Sequence, residues 1–244
     1  MIAMLEAKDL SKSFGGLKAL QQVSLRAELG HSVGIIGPNG AGKTTLFNLL
    51  TGEIKPDSGH VSLDGLSIDA EPIHERVKLG LARTYQVPRP FAEISVRENI
   101  RVSMMEDNLK YMLRVAWDDK GEQEIAESVG FTARQLDQLP SELAMGDLRK
   151  LELARTLATN PKVLLLDEVF AGLTYGEIEH ISNLLVERRK SHGTTYLIVS
   201  HDLKALQPLV DDVLVIHGGN VIKKGNFDEV VSDPQVQNAY LGTG

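Results

Sequence analysis

In Val33-Gly34-Ile35-Ile36-Gly37-Pro38-Asn39-Gly40-Ala41-Gly42-Lys43-Thr44-Thr45-Leu46-Phe47-Asn48-Leu49-Leu50 the chain passes from one kind of structure to another. Val33–Ile36 is the short apolar run expected of a parallel strand buried on both faces. Gly37–Gly42 interrupts it, and Lys43–Leu50 continues with helix-compatible residues until Gly52. Gly37, Gly42, Lys43 and Thr44 stand at the G-x-x-x-x-G-K-S/T spacing of a phosphate-binding loop. By composition alone such a match arises on the order of once in a hundred chains of this size, and the strand before and helix after it lower the odds further. A triphosphate carries several negative charges, and backbone N–H groups converging at a helix N-terminus can hold them where glycine lets the backbone come close. Gly37, Asn39, Gly40, Ala41, Gly42, Lys43, Thr44 and Thr45 are the candidate cradle: Lys43 is set to neutralise β- and γ-phosphate charge, and Thr44 to offer a hydroxyl to Mg²⁺. The plainer alternative is a glycine-rich turn with a solvated lysine.

A loop that holds nucleotide does not explain hydrolysis, which calls for carboxylates at a second strand end. Val163-Leu164-Leu165-Leu166-Asp167-Glu168 supplies them. An apolar strand ending in two acids puts both at the carboxyl edge of the sheet, where open α/β sheets bind ligands. Asp167 is a candidate Mg²⁺ ligand, and Glu168 a candidate base for the attacking water. Alone, such a run is weak, because surface acids often cap helices. Ser200-His201-Asp202 follows the apolar stretch Thr194–Val199, so His201 can reach a γ-phosphate. The other six histidines show no metal-ligand spacing and read as ordinary structural or solvated residues.

Outward from these motifs, Met4–Leu10, Ala19–Glu28 and Ser32–Ile36 read as strands, and His60–Asp64 as another after a turn at Pro56–Gly59. From about 87 to 160 strand patterning gives way to charges and helix formers punctuated by Pro88, Pro90 and Pro140, an expected helical insert. Strands return at Val163–Leu166, Thr194–Ser200 and Asp212–Ile216 around a helical stretch from about Gly176 to Ser191. Gly218-Gly219-Asn220 marks a hairpin opening a C-terminal segment of about 218–244. The expected fold is α/β: a P-loop core with a mainly parallel sheet, an antiparallel β subdomain and the helical insert, within one domain over 1–244.

The 244 residues contain no cysteine, which excludes disulfides and Cys-ligated zinc or iron–sulfur centres. A net charge of −7 gives no general basic footprint, so no nucleic-acid partner is expected. No apolar run approaches the ~18–20 residues that cross a bilayer, and Met1–Glu6 lacks the basic-then-apolar pattern of a secretory signal. A cytoplasmic location follows as an expectation.

Taken together, these residues resemble the nucleotide-binding subunits of ABC transporters along essentially the whole chain. Leu143-Ala144-Met145-Gly146-Asp147, opening a helix that runs to about Thr159, occupies the slot of the family's LSGGQ-type signature. Read by itself, Gly146-Asp147 is a helix start capped by Asp147. The resemblance keeps that cap and implies that the helix N-terminus, with Ala144 and Gly146, points at ATP held by a second subunit. It further implies that Phe14 stacks on adenine, that Gln86 in Arg83-Thr84-Tyr85-Gln86 touches Mg²⁺ and water, and that Ala171-Gly172-Leu173-Thr174 lies at the dimer seam. For Phe14 the alternative is a core aromatic at a strand end. The implied cofactors are ATP and Mg²⁺. The implied partners are transmembrane permease subunits, with Val87–Phe91 either a contact to them or an ordinary proline-containing loop, and a second ATPase subunit in a head-to-tail dimer peripheral to the inner membrane face.

Arg83–Gln86, Phe91, Val96–Ile100, Ala144, Ala171–Leu173 and Ala239–Gly242 are most similar to the branched-chain amino-acid importer type, with the lipopolysaccharide-export type similar at several points. A soluble ABC ATPase without a membrane partner is a further alternative. Three departures stand out. Ala144 lacks the usual signature hydroxyl, Asp147 adds a negative charge near a partner's nucleotide, and Val169 replaces a proline after Glu168. Losing one transition-state donor costs about 3–4 kcal/mol, so a heterodimer with unequal sites is expected.

Overall fold

The computed structural model describes residues 3–105 and 119–241. Residues 106–118 of the expected helical insert and Gly242 of the terminal run lie outside the described residues. The N-terminal part supplies β1 (Ala3–Phe14), β2 (Leu17–Glu28), β3 (Ser32–Ile36), α1 (Lys43–Thr51), β4 (Ser58–Leu63), β5 (Leu66–Ser67), α2 (Ile73–Lys78) and β6 (Leu81–Arg83). Helices α3 (Val96–Met104), α4 (Asp119–Ser128) and α5 (Met145–Ala158) follow, with two short 3-10 turns before α5. The chain then returns to strands: β7 (Val163–Asp167), α6 (Tyr175–His192), β8 (Thr195–Val199), α7 (Leu203–Leu206), β9 (Asp212–His217), β10 (Asn220–Gly225), α8 (Phe227–Val231) and α9 (Pro234–Leu241).

The large sheet has the order β10-β9-β3-β8-β7-β6, parallel throughout except for β10 on the β9 edge. Every residue of β3, β7 and β8 is buried, as expected of parallel strands covered on both faces. Alternation then divides their side chains. Ile36, Leu164, Leu166, Ile198, Val213 and Val215 face the core shared with α3, α5 and α6. Val33, Ile35, Leu165, Leu197, Val199 and Leu214 face α1 and the antiparallel sheet β2-β1-β4-β5. Each such side chain contributes about 1.5–3 kcal/mol by leaving water. Helix α1 lies between the two sheets, so Leu46, Phe47, Leu49 and Leu50 are all buried. Its last turn has no basic residue of its own; Arg76 of α2 donates from Nη1 to the carbonyls of Leu49 (3.1 Å) and Leu50 (2.7 Å) instead.

The strands differ from expectation at their ends. β1 continues past Leu10 to Phe14 through several bulges. Asp57 explains part of this, accepting from Lys12 Nζ at 2.8 Å and from the Ser13 backbone at 2.7 Å, which ties the far end of β1 to the start of β4. Ser58 and Gly59, expected in a turn, are the first residues of β4. β6 has only three residues and exists through its pairing with β7, Leu81 to Val163 and Arg83 to Leu165. No helix among the described residues is long and apolar enough to cross a membrane.

Candidate nucleotide site

β3, β7, β8 and β9 end at one edge of the sheet, and the loops leaving those ends meet there. They enclose a cavity of about 520 Å³ lined by Asn39, Gly40, Ala41, Gly42, Lys43, Thr44 and Thr45, by Asp167, Glu168 and His201 from strand ends, by Gln86, and by Phe14 at the end of β1. Twelve expected residues thus come together from five separate stretches of chain. Leu17, Lys18, Ala19, Gly218 and Gly219 line it too; the first three lie in β2, and the glycines read from sequence only as a turn. Phe14 is 50% exposed, so it is not the core aromatic of the alternative reading.

The loop's shape depends on Gly42. It sits at the N-cap of α1 with φ 112°, and a Cβ there would lie 2.6 Å from the Ala19 carbonyl oxygen. Lys43 folds back on the loop, donating from Nζ to the carbonyls of Gly37 (2.6 Å) and Pro38 (3.0 Å). Burial lowers its pKa, partly opposed by the negative charges of Glu168 and Asp167.

Asp167 is buried, and its Oδ2 accepts from Arg83 Nη2 at 2.7 Å. Glu168 follows with φ 53°, a left-handed conformation costing a non-glycine residue roughly 1–3 kcal/mol. That twist turns its side chain toward His201, whose backbone N–H donates to Oε2 at 3.3 Å. Oε1 makes no hydrogen bond and lies 3.5 Å from His201 Nε2. Burial pushes the Glu168 pKa up, with the Asp167 charge adding to it and His201 and Lys43 opposing. His201 is held by its neighbours: Asp202 accepts from the backbone of Lys204 and Ala205 to cap α7, and Ser200 Oγ accepts from the Asp202 backbone.

The donor set suits a hard divalent cation. Thr44, Asp167 and Gln86 bring only oxygen donors, other than the Gln86 amide nitrogen, to one cavity. No group of three or more His, Cys, Asp or Glu side chains that could cage a metal occurs among the described residues.

Ala144 and Gly146 are absent from this cavity, lying at the start of α5. The expected cap is corrected here: Ala144 is the N-cap residue, with no side-chain bond, and Asp147 stands three positions further on. Its carboxylate is taken by Lys150 at 2.6 Å, and Lys150 also meets Glu177 of α6 at 3.0 Å. Asp147 thus shares one ammonium with Glu177, and the N-cap position offers the helix's first N–H groups no side-chain acceptor. A Cβ on Gly146 would stand 3.2 Å from the Gly172 carbonyl oxygen, so α5 begins packed against Ala171–Leu173.

Comparison with known proteins agrees with this architecture. The family model described as ABC transporter matches residues 20–171. The high-affinity branched-chain amino acid transport ATP-binding protein BraF of Pseudomonas aeruginosa is 34% identical over 249 residues, covering 98% of each chain. The lipopolysaccharide export system ATP-binding protein LptB of Acidithiobacillus ferridurans is 34% identical over 242 residues, covering 99% of this chain and 98% of that one. A solved nucleotide-free ATP-binding cassette from an ABC transporter superposes with a TM-score of 0.85 at 31% identity, over 99% of this chain and 100% of that chain. Motif, sheet edge and relatives along nearly the full length therefore agree: the chain belongs to the ABC transporter family, as one of its ATP-binding, ATP-hydrolysing subunits.

Proposed function

We propose that the cavity takes one ATP with magnesium, and that the chain powers an importer of branched-chain amino acids or related small polar solutes, working as half of a two-subunit ATPase on the inner face of the membrane. The observation that carries the reading of the site is the convergence of Lys43, Asp167, Glu168 and His201 on one cavity with an exposed Phe14 at its rim. Phe14 stacks on adenine. The backbone N–H groups of the loop that lines the cavity, from Asn39 to Thr45, take phosphate oxygens, and Lys43 exchanges the Gly37 and Pro38 carbonyls for β- and γ-phosphate. The Thr44 hydroxyl, Asp167 and Gln86 would hold magnesium, which when bound would neutralise charge at those phosphates. Glu168 accepts a proton from the attacking water while the bond from the γ-phosphorus to the bridging oxygen breaks and ADP leaves. Its raised pKa and unpaired Oε1 suit that role. His201 orients Glu168 and contacts the γ-phosphate.

The start of α5 faces outward to complete the site of a second subunit with Gly146 and the free N–H groups. Because Ala144 has no hydroxyl to offer, that second site is the weaker of an unequal pair, and the partner is a paralogue. Residues 87–160 act as a helical subdomain and about 218–244 as a C-terminal hairpin and tail. A groove of about 1440 Å³ between α2, α3 and α5, lined by Ile73, His74, Phe91, Met104 and Arg155, supports a permease contact on the side where Val87 and Phe91 are exposed.

The similarity to BraF supports import, and that to LptB supports export as the second reading. The test is reconstitution in vesicles of the chain with the membrane and binding-protein subunits that co-purify with it. ATP-driven uptake of leucine into vesicles is the expected result. ATP-driven extraction of lipopolysaccharide, or purification of the chain with ribosomes and no membrane partner, overturns the import reading.

A further inference from the structure

Arg83 is only 8% exposed, an expensive place for a guanidinium unless geometry compensates. It sits at the end of β6, three residues before Gln86, and touches three parts of the site's support. Nη2 donates to Asp167 Oδ2 at 2.7 Å, and Nη1 donates to Asn48 Oδ1 at 2.6 Å and to Glu53 Oε1 at 3.2 Å. Asn48 lies in α1 and Glu53 just beyond it. The guanidinium carbon stands 5.4 Å from the ring centre of Phe47 and 5.0 Å from that of Tyr85. The next residue, Thr84, holds the same aspartate by its backbone, its Oγ1 accepting from Asp167 N–H at 3.1 Å.

We infer that Arg83 is a positioning residue for the divalent cation: it fixes the Asp167 carboxylate against α1, so that the two proposed metal-donating groups, the Thr44 hydroxyl at the start of α1 and Asp167 at the end of β7, keep a set separation. This rests on the reading of Thr44 and Asp167 as metal ligands. The guanidinium engages one carboxylate oxygen, Oδ2, of a residue that itself lines the cavity. A carboxylate torsion is broad when free, and groups that orient a ligand from behind typically govern metal affinity by about 10–100-fold. The planar fork is what permits three acceptors at once; a lysine ammonium at this position keeps the charge without the fork.

The test is fluorescent-ADP binding to the full-length chain, titrated with Mg²⁺ and repeated in EDTA, for wild type, Arg83→Met, Arg83→Lys and Asn48→Ala. Wild type is expected to bind more tightly as Mg²⁺ is added. In Arg83→Met the half-maximal Mg²⁺ concentration rises about 10-fold or more, while affinity in EDTA, which reports the phosphate loop alone, stays at the wild-type value. Arg83→Lys falls between the two, and Asn48→Ala gives a smaller rise because Nη1 loses its shorter acceptor and keeps only Glu53. An unchanged Mg²⁺ midpoint in Arg83→Met overturns the inference, as does an equal loss of affinity with and without Mg²⁺, the mark of general structural damage. Should Arg83→Met not fold, Asn48→Ala decides, and its unchanged midpoint is the refuting result. If wild-type binding ignores Mg²⁺ altogether, the metal reading of Asp167 itself falls, a result distinct from failure of Arg83 alone.

Discussion

Phe14→Ala separates binding from folding. The ring is half exposed at the last position of β1, beside the cavity, with Lys12 Nζ 5.8 Å from its centre. Truncating an exposed side chain changes stability by about 0.5 kcal/mol or less, whereas losing an aromatic platform under a base costs about 1–3 kcal/mol. At 1.4 kcal/mol per tenfold, that is a rise of roughly 5- to 150-fold in Kd for ATP. Stacking involves no metal, so the factor should be the same with Mg²⁺ and in EDTA, and turnover at saturating ATP should be kept, since ground and transition states lose equally. Calorimetric titration measures the Kd, thermal unfolding of the nucleotide-free chain measures the fold, and Phe14→Trp is expected to restore binding. An unchanged Kd refutes the stacking role. A fall in Tm matching the loss of binding means instead that the ring supports the β1–β2 turn.

Other substitutions read other parts of the site. Glu168→Gln should keep ATP binding and lower phosphate release by about 10²–10⁴-fold. Because burial raises the Glu168 pKa, the folded chain binds this proton more readily than the unfolded one, so wild type gains stability as pH falls through the folded pKa. The Gln variant should therefore match or exceed wild type in Tm at pH 7 and lose that advantage near pH ~4; a Tm lower at pH 7 than at pH 4 relative to wild type contradicts this. Gly42→Ala should cost at least about 1–2 kcal/mol from φ 112° alone and abolish nucleotide binding, seen as a lowered denaturation midpoint and a flat titration. Glu177, whose carboxyl is pulled down to about 2 by the Thr174 backbone and Lys150, gives the opposite pH behaviour. Its contribution is complete above the ordinary carboxylate range and fades as pH falls toward about 2. Glu177→Gln should lower Tm at pH 7 by a small amount, under about 1 kcal/mol given its exposure, with the gap closing in acid; a constant gap from pH 7 to pH 2.5 removes the linkage.

What the sequence disclosed and what it hid follow from how local each cause is. β3, the glycine loop and α1 were legible because a both-face-buried strand, a phosphate loop and a helix each leave a contiguous pattern. Asp167 and Glu168 were legible because they end such a strand. β6 was missed because three residues, Leu81-Ala82-Arg83, carry no period of their own and become a strand only beside β7. Arg83 was hidden with it: buried arginine leaves no mark in a sequence, and its acceptors are Asn48 in α1, Glu53 two residues past the end of that helix, and Asp167 in β7. The cap assigned to Asp147 failed because the helix begins two residues earlier, at Met145, which leaves Asp147 inside the first turn with its carboxylate on Lys150. Ala144 and Gly146 could be assigned only by resemblance, since nothing within a single chain brings them to the cavity.

The phosphate loop's strand has neighbours made much later. β3 pairs with β8 on one side and β9 on the other, and the β9–β10 hairpin reaches back to donate from Gly219 N–H to the Ala41 carbonyl at 3.0 Å, while Gln21 N–H donates to Gly219 at 2.8 Å. During synthesis, residues 37–45 leave the ribosome long before β8, β9 and Gly219 exist to hold them in shape. Nascent polypeptides halted before Asp212 should therefore fail to retain ATP, and those extended past Gly225 should retain it, making ligand capture a late step in the birth of this subunit.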